Sequence, residues 1–202
     1  MIKAIIFDCF GVLTTDTWRA FIDSLPDTAD VQTARDLNRA LDAGMISKDE
    51  FLQGVKEATG MLPPEVETML GGEIVKNKPL LTYIADLKQQ GYKIGLISNI
   101  SSNWIREQLL TPEEAALFDH MILSYEVGMV KPDPRIFILA CERLRAAPQE
   151  TVMIDDIDAY IAGAEGEGMH GIVYTDLETL KQHLNLLLNS NDQAPVSIAE
   201  PL

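Results

Sequence analysis

Ile2-Lys3-Ala4-Ile5-Ile6-Phe7-Asp8-Cys9-Phe10-Gly11-Val12-Leu13 opens the chain with an apolar run that stops abruptly at an acid and a turn glycine. Residues 3–7 read as a short buried β-strand, partly β-branched, with Gly11 marking the turn beyond it. Runs of the same kind recur at 93–97, 121–123, 151–154 and 171–174. Helical patterns lie between them. Ile136, Phe137, Ala140, Cys141 and Leu144 share one face of a helix that starts near Pro134. Leu177, Leu180, Leu184, Leu187 and Leu188 line the last helix, with Thr175 and Glu178 as its expected capping box. Buried strands alternating with amphipathic helices predict an α/β chain, a Rossmann-like doubly wound parallel sheet covered on both faces.

One stretch breaks the alternation. Residues 16–77 contain helix signals and no convincing strand: a periodic run from Ala34 that stops at Gly44, a capping box at Ser47 and Glu50, and a helix start at Pro63-Pro64-Glu65. An all-helical cap domain is therefore expected at 16–77, inserted into a core formed by 1–15 and 78–188. It leaves the sheet near the carboxyl end of the first strand, where open α/β sheets bind ligands. Residues 189–202 are polar and aperiodic and read as a loose tail.

Composition narrows the function. The 202 residues carry a formal charge of −15, which argues against nucleic acid or an anionic membrane as a partner. A metal-bearing pocket can still take an anion, because the ion reverses the local sign. The leading apolar run is too short for a signal peptide, no run approaches the roughly 18 apolar residues of a membrane span, and two cysteines, Cys9 and Cys141, fit reduced thiols in the cytoplasm. His120, His170 and His183 are scattered and read as ordinary histidines; Trp104 and Trp18 read as packing residues, with Trp18, at the start of the insert, also placed to line the substrate entrance.

The chemistry gathers where strands end. Asp8 follows the first, Ser98-Asn99 the second and Asp155-Asp156 the fourth, while Lys131 lies in the loop after the third. Taken singly, each has an ordinary reading as a turn residue or helix cap. In a parallel sheet, however, all of these positions open on one edge and converge on one crevice. The segments Phe7-Asp8-Cys9-Phe10-Gly11-Val12-Leu13, Ser98-Asn99, Lys131-Pro132-Asp133-Pro134 and Ile154-Asp155-Asp156 resemble, in order, the four motifs of the haloacid dehalogenase superfamily. The stretch Gly44-Met45-Ile46-Ser47-Lys48-Asp49-Glu50-Phe51 resembles the branch that contains sugar-1-phosphate phosphatases and the phosphatase domain of epoxide hydrolases.

The resemblance implies a magnesium-dependent phosphohydrolase acting on a small phosphorylated metabolite, as a monomer or homodimer. It makes Asp8 the nucleophile, and gives magnesium to Asp8, the carbonyl of Phe10 and Asp155, with Asp156 as a supporting partner or further ligand. Ser98 and Asn99 would hold phosphate oxygens beside Phe10 and Gly11, aided by a helix opened at Ser101 or Ser102, and Lys131 would place a positive charge among them. Carboxylates 8 and 155 must then meet around one cation; a separation beyond about a dozen ångströms would undo the reading.

One position departs from the pattern. Phosphatases of this family carry a second Asp two residues after the nucleophile, as general acid and base, and this chain has Phe10 there. Such a group contributes roughly 10²–10⁴-fold. Three readings follow: a phosphohydrolase that manages without it, on good leaving groups or with another donor such as Asp16; a protein that binds magnesium and a phosphorylated ligand without useful turnover; or a 2-haloacid dehalogenase, whose relatives have an aromatic residue at this spot but lack the Asp155-Asp156 pair.

Overall fold

The computed structural model describes residues 1–189. Its centre is a five-stranded parallel sheet: β1 (Ala4–Phe7), β2 (Lys93–Ser98), β3 (His120–Leu123), β4 (Thr151–Asp155) and β5 (His170–Val173), in the spatial order β3-β2-β1-β4-β5. All four residues of β1 are fully buried. That is why its sequence is a continuous apolar run rather than an alternating one: both sheet faces are covered. Ile5 and Phe7 enter a core completed by α5 (Lys78–Gln89) and α10 (Leu177–Asn189). Ala4 and Ile6 point the other way, into a core shared with α8 (Pro134–Leu144) and α9 (Asp158–Gly166).

Between β1 and α5 the chain forms four consecutive helices, α1 (Thr17–Ser24), α2 (Thr28–Asp42), α3 (Lys48–Thr59) and α4 (Pro63–Leu70). Their apolar faces enclose a separate core of Phe21, Ile22, Phe51, Val55 and Val66. Trp18 packs into that core against Phe21 and Phe51, at ring-centroid distances of 5.3 and 6.4 Å. The capping box at Ser47 and Glu50 forms, and Pro63 begins α4. The two strands of chain that enter and leave this insert are tied together. Thr14 bridges Lys76, Thr15 Oγ1 donates to the Glu73 carbonyl and accepts from Val75 N, and Thr17 Oγ1 donates to the Leu70 carbonyl.

Two local expectations need correction. Asp176, not Thr175, caps α10: its carboxylate accepts from the backbone N–H of Thr179, because Asp176 directly precedes the helix start at Leu177 and Thr175 lies one residue outside it. No α-helix opens at Ser101 or Ser102. A five-residue π-turn (Ile105–Leu109) follows instead, with Ile105 and Leu109 buried. Asn189, the expected start of the tail, belongs to α10, and residues 190–202 lie outside the described residues. Among those residues no helix is long and apolar enough to cross a membrane.

Candidate active site

Strand register builds the floor of the site. Phe7 pairs with Leu96 on one side and Ile154 on the other, so β1, β2 and β4 release Asp8, Ser98 and Asp155 at the same edge. The backbone N–H of Asp8 still donates to the Ile154 carbonyl at 2.9 Å, which anchors the nucleophile candidate to the neighbouring strand. Beyond it the chain turns sharply: the Cys9 carbonyl accepts from the N–H groups of Val12, Leu13 and Thr14. Among the described residues no donor reaches the Phe10 carbonyl.

Lys131 arrives from the loop between α7 (Ser124–Val127) and α8. The Asn99 amide braces both sides of its backbone: Oδ1 accepts from Lys131 N at 2.8 Å and Nδ2 donates to the Lys131 carbonyl at 3.1 Å. The following Lys131–Pro132 peptide is cis. Nζ of Lys131 sits 2.7 Å from Asp8 and 2.5 Å from Asp155, with the Tyr160 ring centroid 4.9 Å away. All three charged groups are buried. Burial pushes Asp8 up to about 7, helped by the charge of Asp155 and opposed by Lys131. Burial also works against the Lys131 ammonium, but Asp155 and Asp8 outweigh it and hold that amine above the ordinary lysine range.

Asp156 completes an acidic trio. One carboxylate oxygen each of Asp8, Asp155 and Asp156 lies within 4.8 Å of the others, well inside the limit on which the sequence reading depends. Asp156 reaches in over Gly11, whose φ is +84° and where a Cβ would lie 2.5 Å from the carboxylate, so only glycine fits. The Gly11 N–H is held by the Thr14 carbonyl at 2.7 Å. From the insert, Arg19 pairs with Asp156 Oδ2 at 3.0 Å. Asp16 is engaged as the cap of α1, accepting from the N–H groups of Trp18 and Arg19.

The donor set fits a hard divalent cation. Three carboxylates and a carbonyl offer oxygen alone, the preference of magnesium or calcium rather than zinc or copper. Two buried side-chain polar atoms lack a hydrogen-bond partner among the described residues, Ser98 Oγ and Asp156 Oδ1. Both belong to residues of this sheet edge, and buried groups of that kind normally have partners. Beside the site, Phe10 stacks on Trp104 at 5.9 Å with an 18° interplanar angle. Sequence reasoning missed that pairing, the Asn99 brace, Tyr160 and Arg19.

The chain is similar to known proteins in sequence and in fold. The chain is 32% identical over 115 residues to bifunctional epoxide hydrolase 2 of Sus scrofa, a match covering 54% of this chain and 20% of that one, so it spans only about a fifth of that protein's length. D-ribitol-5-phosphate phosphatase of Bacteroides thetaiotaomicron is 29% identical over 211 residues, covering 94% of this chain and 100% of its own. An enzyme from the same bacterium, solved with magnesium and inorganic phosphate, superposes with a TM-score of 0.62 at 22% identity, over 89% of this chain and 99% of the other. A model of the haloacid dehalogenase-like hydrolases matches residues 2–168, and the chain belongs to that family.

Proposed function

We propose that this protein is a magnesium-dependent phosphohydrolase that works through a phosphorylated Asp8 on a small phosphorylated metabolite. The observation that carries this is the meeting of Asp8, Lys131, Asp155 and Asp156 with the unpartnered Ser98 hydroxyl at one rim of the sheet. The phosphatase relative that matches along its whole length supports the substrate class.

Asp8, Asp155, Asp156 and the Phe10 carbonyl would hold the magnesium. When bound, it neutralises phosphate oxygens and lowers the repulsion between carboxylate and dianion. The Asp8 carboxylate attacks phosphorus, forming an acyl phosphate as the bond to the leaving oxygen breaks. Water then attacks the same phosphorus, releases inorganic phosphate and regenerates Asp8. Lys131 favours the ionised form of Asp8 against burial and supplies charge to the phosphoryl oxygens. Ser98 donates its hydroxyl to one of those oxygens. The buried, free Cys9 and Cys141 fit a reducing compartment such as the cytoplasm.

Phe10 sets the limits of this chemistry. Its ring is held against Trp104 and has no proton to give, so the leaving oxygen departs without help from that position. Aryl and acyl phosphates are then favoured over alkyl ones. The same observation favours a second reading, a protein that binds phosphate and magnesium with little turnover. Hydrolysis of aryl and alkyl phosphates, with magnesium and then with excess chelator, separates them. Metal-dependent turnover that falls steeply as the leaving-group pKa rises supports the hydrolase. Magnesium binding with no turnover on any ester selects the binding protein.

A further inference from the structure

Arg19 is the point where the helical insert touches the acidic trio. It lies in the first turn of α1, and its guanidinium reaches across 137 residues of sequence to Asp156 Oδ2 at 3.0 Å. The start of that helix is fixed: Asp16 accepts from the N–H groups of Trp18 and Arg19, and Thr17 Oγ1 donates to the Leu70 carbonyl. Arg19 is 59% exposed while Asp156 is only 10% exposed. An exposed arginine in such a pair adds little to folding stability. What it does is orient. The Asp156 carboxylate is wedged over Gly11, one oxygen is taken by Arg19, and the other, Oδ1, is buried with no partner among the described residues.

We propose that Arg19 is a positioning residue for the divalent cation: by holding Asp156 Oδ2 it presents Oδ1 to the cation, and so couples the insert to the loading of the site. The inference rests on the cation assignment proposed above and extends it to a residue outside all the strand-end motifs. Groups that hydrogen-bond a ligating carboxylate typically matter about 10–100-fold in metal affinity. Because coupling between binding and conformation is reciprocal, the cation must in turn quieten α1 through the same contact.

The test is magnesium titration by calorimetry of the full chain, stripped of metal, together with amide exchange across Thr17–Ser24. Arg19→Ala is expected to weaken magnesium binding about 10–100-fold with no change in the metal-free Tm. Arg19→Lys should recover part of the loss, since an ammonium can reach Asp156 but lacks the planar fork. Magnesium should slow exchange in α1 of the parent protein and not of Arg19→Ala. If Arg19→Ala binds magnesium as tightly as the parent, or more tightly, while Asp156→Asn binds weakly, Arg19 has no positioning role and the cation assignment stands. If the parent binds no magnesium, or Asp155→Asn leaves binding unchanged, the cation assignment falls and this inference falls with it.

Discussion

Two acids in this molecule, Asp8 and Asp42, are driven by burial to a pKa of about 7, and they sit in very different company. Asp8 directly follows β1 and sits among Lys131, Asp155 and Asp156. Asp42 ends α2 in the helical insert, where its carboxylate accepts from the Asn38 amide at 2.9 Å and its backbone carbonyl accepts from the Ser124 hydroxyl at 2.6 Å. Desolvation alone can therefore perturb a carboxyl group as far as the charged cluster around Asp8 does. What distinguishes the site is convergence: the buried Lys131 ammonium, two further carboxylates and the Ser98 hydroxyl, which has no partner among the described residues. Asp42 has a neutral amide and nothing to activate.

The contrast is broken most severely at Asp8. Asp8→Asn should abolish metal-dependent ester hydrolysis, by on the order of 10⁴-fold or more, in a steady-state assay, while leaving the fold intact. Residual turnover close to the parent would remove Asp8 from the chemistry. Lys131→Met tests the other half of the pair. It strands Asp8 and Asp155 without their cation, and breaking a buried ion pair from one side costs about 3–5 kcal/mol. Urea unfolding without metal should show that loss, and added magnesium should restore part of it by binding the same carboxylates.

Asp42 provides the control. Its pKa is raised on folding from 3.8 to about 7, so the folded protein holds an extra proton across that window. Stability from this group is present below the lower value and declines as the pH climbs towards 7. Asp42→Asn keeps an acceptor for Asn38, removes this slope, and should raise stability at pH 8 by up to about 4 kcal/mol, with hydrolysis unchanged. Comparing denaturant midpoints of the two proteins from pH 4 to 8 isolates it from Asp8. A parallel pair of curves would mean that Asp42 is solvated in solution.

The smallest expected effect concerns what Asp8 lacks. Phe10→Asp places a carboxyl two residues after Asp8, the proposed nucleophile, and should speed alkyl phosphate cleavage about tenfold or more. It gives up the stacked pair with Trp104, at about 0.5–1.5 kcal/mol. A folded variant with no gain on alkyl esters would show that the missing acid is not what limits turnover.

From the sequence alone the parallel sheet, the helical insert and the strand-end positions were all legible, because burial on both faces leaves uninterrupted apolar runs and each run stops where the backbone leaves the sheet. Asp8, Ser98, Lys131 and Asp155 could be read as neighbours without coordinates, since parallel strands share one carboxyl edge. Only the tertiary structure could join Arg19 to Asp156, pair Phe10 with Trp104, or turn the Asn99 amide onto the backbone of Lys131. These contacts cross 137, 94 and 32 residues of chain respectively, and no periodicity records them. Local pattern reports which face of an element is buried; which side chains then meet, between loops of the core or between insert and sheet, depends on how the packed elements dock, and that is a property of the folded whole.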